Sequence, residues 1–164
     1  MVVTTRNSTY TAPRTWTTGE LVTKTIMDTH IRDNFGAVSD PAYGMSTVDE
    51  ASNYTTTGTS FANVDATDLY LSFTTSGSDT VLAVFTCVLS FSGTGGNYIH
   101  IDLAVDGTAI SGNDGLCAYG SSTAGTVSFQ RLCTGLSAAA HNFAIQWKVT
   151  SGTGTMYAGA GTAN

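Results

Sequence analysis

Residues 79–91 read DTVLAVFTCVLSF, and this stretch decides the fold because its apolar side chains follow a period of two. One set of alternate positions is apolar throughout and consists of Val81, Ala83, Phe85, Cys87, Leu89 and Phe91. Such alternation predicts a β-strand. Leu82, Val84 and Val88 make the opposite side apolar as well. We therefore predict a strand whose second face is also buried, and packing between subunits of a trimer would bury it.

The sequence before and after this strand contains further stretches that alternate in the same way. They are DLYLSF (68–73), NYIHIDLAVDG (97–107), TVSFQRLC (126–133), HNFAIQWKV (141–149) and the shorter GTMYAGA (154–160). Asp106-Gly107 and Asp114-Gly115 predict turns between strands. Seven or eight strands at this spacing, with no helix between them, predict an all-β fold, an antiparallel jelly-roll-type sandwich.

The N-terminal segment has a different character and contains APRTWTTGELVTKTIMDTHIRDNF at residues 12–35. Thr23 is a suitable N-cap for a helix over residues 23–35, and Gly36 is a suitable stop. Asp28 and Arg32 are four residues apart and predict an ion pair. Apolar residues recur at helical spacing, namely Ile26, Met27, Ile31, Phe35 and Val38. A helix of about three turns is marginal alone in water, so this stripe is expected to pack against something.

These patterns predict three regions. Residues 1–40 form an N-terminal extended arm and short helix, residues 41–60 form a linker rich in Thr and Gly, and residues 61–164 form the β-domain. No apolar run has the length of a signal peptide or a membrane span. The protein is therefore expected to be made in a cytoplasm and, if it leaves, to leave by a route other than a classical signal.

Charge excludes two classes of partner. The 164 residues carry a net charge of −6 and only 11% charged residues. Residues 1–34 hold four basic and three acidic side chains, whereas residues 35–164 hold nine acidic side chains and two basic ones, Arg131 and Lys148. Binding to phosphate backbones or anionic membranes needs clustered Lys and Arg. We expect neither nucleic acid nor membrane as a partner.

Catalytic and metal chemistry have weak support in the sequence. His30, His100 and His141 are the only histidines, and no Gly-x-Ser-x-Gly elbow is present. Asp102, Asp106, Asn113 and Asp114 cluster around two turns, but their spacing lacks the acidic alternation and closing Glu of an EF-hand. Asp and Asn before Gly are ordinary turn residues. We expect no enzyme activity, no cofactor and no metal site.

Two other features leave alternatives open. Three cysteines, Cys87, Cys117 and Cys133, exclude a closed intrachain disulfide framework and favour free thiols that behave as small hydrophobes. The loop over residues 111–124, with Asn97, Tyr98 and Tyr119, could hold a sugar or a surface epitope. Exposed tyrosines are equally typical of subunit contacts.

Two segments resemble parts of known structural proteins. Residues 13–16, 19–23 and 31–34 (PRTW, GELVT and IRDN) resemble a stretch near the N-terminus of many tailed-phage structural proteins. Residues 135–164, GLSAAAHNFAIQWKVTSGTGTMYAGAGTAN, resemble the last strands of small phage fibre and decoration domains. This second segment is also similar to trimeric jelly rolls of the tumour-necrosis-factor and complement-head type.

The resemblance implies a virion structural protein, either a capsid decoration protein or a short head fibre. It implies a homotrimer whose N-terminal arm docks on another virion protein such as the major capsid protein, at the virion surface. The expected docking residues are Arg14, Trp16, Ile26, Met27, Ile31, Arg32 and Phe35. The alternatives are a receptor-binding tail-fibre tip and a free lectin-like binding module.

Overall fold

The structure is a computed structural model, and it describes residues 2–4, 14–35, 43–48, 52–77 and 79–159. The chain divides into two compact units, Val2–Met45 and Ser46–Asn164.

The N-terminal unit combines a two-stranded sheet with a short helix. Strands β1 (Val2–Thr4) and β2 (Tyr43–Met45) pair in antiparallel fashion. Helix α1 spans Lys24–Met27 and continues directly as a π-helix over Asp28–Arg32. The sequence pattern predicts a helix here but not the wider π turn, because the same apolar spacing is compatible with both.

The helix begins where the sequence predicts. The Thr23 hydroxyl accepts a hydrogen bond from the backbone N–H three residues further on, at 3.3 Å. The predicted pair of Asp28 and Arg32 is confirmed, with 3.1 Å between carboxylate and guanidinium. The predicted stop at Gly36 and the last apolar position, Val38, lie outside the described residues.

The second unit is called the β-domain below, and its described residues form ten strands. They are β3 (Tyr54–Thr56), β4 (Ala62–Asn63), β5 (Tyr70–Thr74), β6 (Val81–Ser92), β7 (Ile99–Val105), β8 (Thr108–Ala109), β9 (Cys117–Tyr119), β10 (Gly125–Cys133), β11 (Ala140–Val149) and β12 (Thr153–Met156). Residues 41–60, which composition marks as a linker, contain strands β2 and β3.

The strands of the β-domain form two antiparallel sheets. The first sheet has the order β10-β6-β12-β3, and the second is built on β11 paired with β7. Strands β4 and β5 pair with β11, while β8 and β9 pair with β7. The chain crosses repeatedly from one sheet to the other, which is the connectivity of a jelly roll. The predicted all-β antiparallel sandwich is confirmed.

Strand β6 shows the two-sided pattern that its sequence predicts. It pairs with β10 in a continuous register from Val81 opposite Cys133 to Leu89 opposite Gly125. The inward side chains of β6 are half-buried from Val81 to Cys87, and those of Leu89 and Phe91 are buried. The outward row of β6 is exposed within this chain, so the predicted burial of that second face is not supplied by the chain itself.

Apolar side chains from the inward rows of both sheets fill the space between them. The buried cluster consists of Leu89, Phe91, Ile99, Ile101, Leu103, Phe129, Cys133, Phe143, Ile145, Trp147, Val149 and Met156. Phe143 also stacks on Phe73 with 4.8 Å between ring centroids. The period-two pattern therefore identifies the core, because alternate residues of a strand share one face.

In the second sheet, the outward side of strand β7 is covered as well. His100, Asp102 and Ala104 of β7 point away from the core, yet they are 9%, 0% and 0% exposed. The segment after β7 folds back over them, and Gly115 makes this approach possible. Its φ is +67°, and a Cβ at this position would lie 2.5 Å from the carbonyl oxygen of Ile101.

Candidate functional site

The predicted docking residues lie in the N-terminal unit, where several large apolar side chains are exposed to solvent. Phe35 is 74% exposed, Ile31 50% and Met27 44%. Ile26, predicted for the same stripe, is half-buried. The exposed residues are spaced four apart, which places them along one side of the helical segment. The unit therefore presents an apolar strip to solvent.

Two further exposed apolar residues lie just before the helix and were not predicted from the sequence. Leu21 is 79% exposed and Val22 49% exposed. They directly precede the N-cap Thr23, and an apolar residue just before an N-cap is a recurrent helix-start feature. The position of Val22 directly before the N-cap was therefore a sequence signal that could have identified this residue. We call Leu21, Val22, Met27, Ile31 and Phe35 together the leader strip.

Trp16 lies in a compact turn with Arg14. The Arg14 guanidinium sits 5.0 Å from the centroid of the Trp16 ring and also pairs with the carboxylate of Glu20. The turn is closed by a backbone hydrogen bond from Glu20 to Thr17 at 3.1 Å, and Gly19 supplies a positive φ of 82°. Trp16 remains 47% exposed, with one ring face toward the cation.

Both predicted docking arginines have acidic neighbours within the chain. Arg32 contacts Asp28 at 3.1 Å and Asp33 at 2.9 Å. The hydrogen bond from Lys24, aided by nearby Arg32, holds the pKa of the Asp28 carboxyl below its ordinary value. We therefore expect apolar side chains to contribute more to a docking contact than Arg14 or Arg32.

A Ser-His-Asp cluster forms at one end of the β-domain. Nδ1 of His141 lies 2.7 Å from Oδ2 of Asp106, and Nε2 lies 3.3 Å from the Ser137 hydroxyl. Nε2 is also 3.1 Å from the Ser137 carbonyl oxygen, which can only accept a hydrogen bond. The geometry therefore favours an imidazolium that donates from both nitrogens, which leaves no lone pair to activate the hydroxyl.

The pKa shifts agree with a charged pair of His141 and Asp106. The hydrogen bond to Asp106 raises the pKa of His141, and the Ser137 carbonyl adds to this effect. The pKa of Asp106 is lowered, chiefly by the backbone N–H of Asn142, which donates to its carboxylate at 2.8 Å. We call Asp106, Ser137 and His141 the His141 clasp. Asp106 and His141 are 35 residues apart in the sequence, so sequence spacing does not predict their meeting.

The acidic turn residues serve the backbone. Asp102 accepts from the N–H of Leu103 at 2.8 Å and of Ser111 at 3.2 Å. His100 Nδ1 lies 2.9 Å from the carbonyl oxygen of Asp114, so Asp114 contributes its main chain there. Within the described ranges, no three His, Cys, Asp or Glu residues come together as metal ligands.

The outer loop presents one exposed aromatic ring. Tyr98 is 45% exposed, and its ring packs against Gly120, where a Cβ would lie 2.6 Å from the ring. The Asn97 side chain contacts Thr94 and Thr150, all at 3.0–3.1 Å. Tyr119 donates to the carbonyl of Thr123 at 2.5 Å. Thus Tyr98 is the member of this group that offers an open surface.

The cysteines are free thiols in covered positions. Burial raises the pKa of Cys87 to about 12 and also raises the pKa values of Cys117 and Cys133. A thiol with a raised pKa is a weak nucleophile at neutral pH because the thiolate is the reactive form. The prediction of unpaired cysteines is confirmed.

No protein-family model matches this sequence, and no curated protein and no solved structure is significantly similar to it. In the part of the chain that the structure describes, no helix has the length and apolar character needed to cross a membrane.

Proposed function

We propose that this chain is a structural protein of a tailed-phage virion that acts as a capsid decoration protein or short head fibre. The N-terminal unit docks on another virion protein, such as the major capsid protein, and the β-domain is displayed as a homotrimer. The protein is assembled in the host cytoplasm and ends on the virion surface. The observation that carries the proposal is the exposed leader strip.

The leader strip supports docking on a protein surface for a physical reason. Apolar area removed from water stabilises a contact by roughly 25 cal/mol per Å². Phe35 and Leu21 are each more than 70% exposed. A short helical segment gains most of its stability from packing, so a partner that covers the strip would stabilise the helix at the same time.

The charge distribution favours a protein partner over nucleic acid. Five exposed apolar residues form the strip, and the helix carries its charges as pairs, such as Asp28 with Arg32. The β-domain contains only two basic residues, Arg131 and Lys148. Phosphate neutralisation requires several unpaired cations on one surface.

A double substitution in the strip tests the proposal. Met27→Glu with Ile31→Glu places two carboxylates where apolar contact is expected, and we expect co-sedimentation with particles from the same infection to weaken. Each change should reduce binding at least about tenfold, because a buried contact is replaced by an unpaired charge. Particle-bound protein is measured by gel densitometry after sedimentation.

Thr25→Glu is the matched control, since Thr25 is exposed in the same helix and is polar. It should bind particles like the unmodified chain. Unchanged binding of the double variant, with its far-ultraviolet circular dichroism intact, would refute docking through the strip.

The exposed ring of Tyr98 favours one second candidate, a receptor-binding tail-fibre tip. Aromatic rings at loop tips are common contacts in recognition surfaces. Copy number separates the two candidates, because decoration requires hundreds of copies per particle and a tail tip requires few. Glycan or host-cell binding that is lost in Tyr98→Ala would favour the tail tip.

A further inference from the structure

The two sheets of the β-domain differ in how their outward faces are covered. On the second sheet, the outward residues Asp102 and Gln146 are 0% and 8% exposed, because other parts of the chain lie over them. On the first sheet, Val84, Leu82 and Leu132 are 61%, 58% and 56% exposed. The fold therefore leaves one sheet face bare, and that face carries large apolar side chains.

The bare face also lacks charge. We call it the uncharged face, and its outward residues are Thr55, Leu82, Val84, Thr86, Val88, Ser90, Ser92, Thr126, Ser128, Gln130, Leu132, Thr153 and Thr155. Arg131 is the one charged residue on these four strands, and it pairs with Ala83 in the inward row. Depletion of charge at the centre of a surface is the compositional mark of subunit interfaces.

A neighbouring cleft continues the uncharged surface. It has a volume of about 320 Å³ and is lined in part by Val84, Thr86, Val48 and Tyr157. None of the described residues that line it is charged. The apolar and hydroxyl-bearing surface thus extends past the edge of β6, and the described residues that form it are uncharged.

The occupant that fits this surface is another copy of the same chain. Each copy carries a net charge of −6, so copies that met through their charged surfaces would repel each other. The uncharged face lets two acidic molecules meet without placing like charges in contact. A partner of strong opposite charge would find no carboxylate here to pair with. An apolar face of this kind also promotes aggregation unless it is permanently covered.

We propose that copies of this chain pack against one another through the uncharged face, with Leu82, Val84, Val88 and Leu132 at the contact. The inference deepens the homotrimer of the proposed function and rests on that part of it. It is independent of whether the leader strip docks on a particle. The contact is closed by rotational symmetry, so every copy uses the same face.

The test measures the mass of the full chain in solution by light scattering coupled to size exclusion. The unmodified chain should elute as a trimer of about three times 17.0 kDa. Val84→Glu should weaken association at least about 100-fold and yield a monomer, because an unpaired carboxylate would be buried at the contact. Ser72→Glu is the matched control, because Ser72 is exposed on β5 of the second sheet, and this variant should stay trimeric.

Leu132→Gln keeps the test decisive if Val84→Glu misfolds. It removes apolar contact area without adding a charge and should shift the chain toward smaller species at low concentration, with unchanged circular dichroism.

An unmodified chain that is monomeric at tens of micromolar overturns the inference, as does an oligomer that persists in Val84→Glu. A dimer that Val84→Glu dissociates would support the face and overturn the homotrimer. Dissociation by Met27→Glu with Ile31→Glu alone would assign the contact to the leader strip and overturn the inference.

Discussion

His141 connects strand β11 to two other segments of the β-domain through its two ring nitrogens. Its Nδ1 meets Asp106 in the turn after β7, and its Nε2 meets the Ser137 carbonyl before β11. Thr75, after β5, hydrogen-bonds the same carbonyl through its hydroxyl at 2.5 Å. Asp106 is the charged group that faces the imidazole. A protonated His141 therefore helps to hold the turn after β7 to the connection before β11, and Thr75 separately joins the end of β5 to that connection.

The charge state of the clasp predicts a pH dependence of stability. The pKa of His141 is raised above its ordinary 6.5 in the folded chain, so its contribution is complete below pH 6.5 and is lost as pH rises through the folded pKa. The Asp106 contribution is present above its ordinary 3.8 and is lost as pH falls through its lowered folded pKa. We expect the melting temperature of the unmodified chain to exceed that of His141→Gln most strongly between these limits.

Thermal melts of both proteins from pH 4.5 to 9 measure this difference. It should shrink as pH rises above neutrality. His30→Gln is the control for a general effect of histidine loss, because His30 lies in the other unit. A gap that is constant across this range would argue against a protonated clasp.

At the scale of the element, strand β6 carries two different surfaces. Leu89 is fully buried in the inward row, whereas Leu82 is 58% exposed in the outward row. The alternation of the strand sends side chains seven residues apart to opposite sheet faces. The local sequence makes both rows apolar and does not say which of them is buried. The inward row packs in the core and the outward row does not.

Substitution of these two leucines should separate the roles of the two rows. In the monomeric Val84→Glu background, Leu89→Ala should lower the free energy of unfolding by about 2–5 kcal/mol through cavity formation. Leu82→Ala in the same background should change it by about 0.5 kcal/mol or less, because little buried area is lost. Urea unfolding measures both values. Similar losses for the two variants would mean that the outward row is covered within a single chain.

The short helical segment shows how far local signals extend. The Thr23 cap and the pair of Asp28 and Arg32 depend on neighbours within four residues, and both were predicted correctly. The π turn over Asp28–Arg32 was not predicted, since it requires only one extra residue per turn and leaves the apolar spacing similar. Which side chains stay exposed is decided by packing, and Leu21 and Val22 were missed for that reason.

At the scale of the whole molecule, charge and apolar surface are separated. The chain has a net charge of −6, while the uncharged face carries no ionisable side chain. Long-range repulsion between copies therefore opposes an association that apolar contact favours. Repulsion between charges that do not touch is screened over about 10 Å at 0.1 M salt, whereas apolar contact is not.

Added salt should consequently tighten self-association. We expect the dissociation constant of the full chain to fall when sodium chloride is raised from about 0.05 M to about 0.5 M, because the Debye length shortens several-fold. Sedimentation velocity at both concentrations measures it. Ser72→Glu, with one added charge per copy outside the contact, should show a larger salt effect. Weaker association at high salt would indicate interfacial ion pairs and contradict an uncharged contact.

The sequence by itself determined the strands with a clear period-two pattern, the turns, the inward apolar rows and the start of the helix, but not the short strands such as β2 and β3. Each of these follows from interactions between residues close in the chain, where period and capping residues are sufficient. The alternation in 79–91 also showed that β6 has a second apolar row. It did not show whether the chain itself would cover that row.

Only the tertiary structure decided which outward face is covered and which distant polar groups meet. Asp102 is buried because the segment after β7 folds over it, and the clasp forms because two connections bring Asp106 and His141 together across 35 residues. Such contacts depend on how sheets pair and pack, and sequence spacing does not encode that geometry. The same packing buries Asp102 and Gln146 on the outward side of the second sheet and leaves Leu82, Val84 and Leu132 on the outward side of the first sheet exposed.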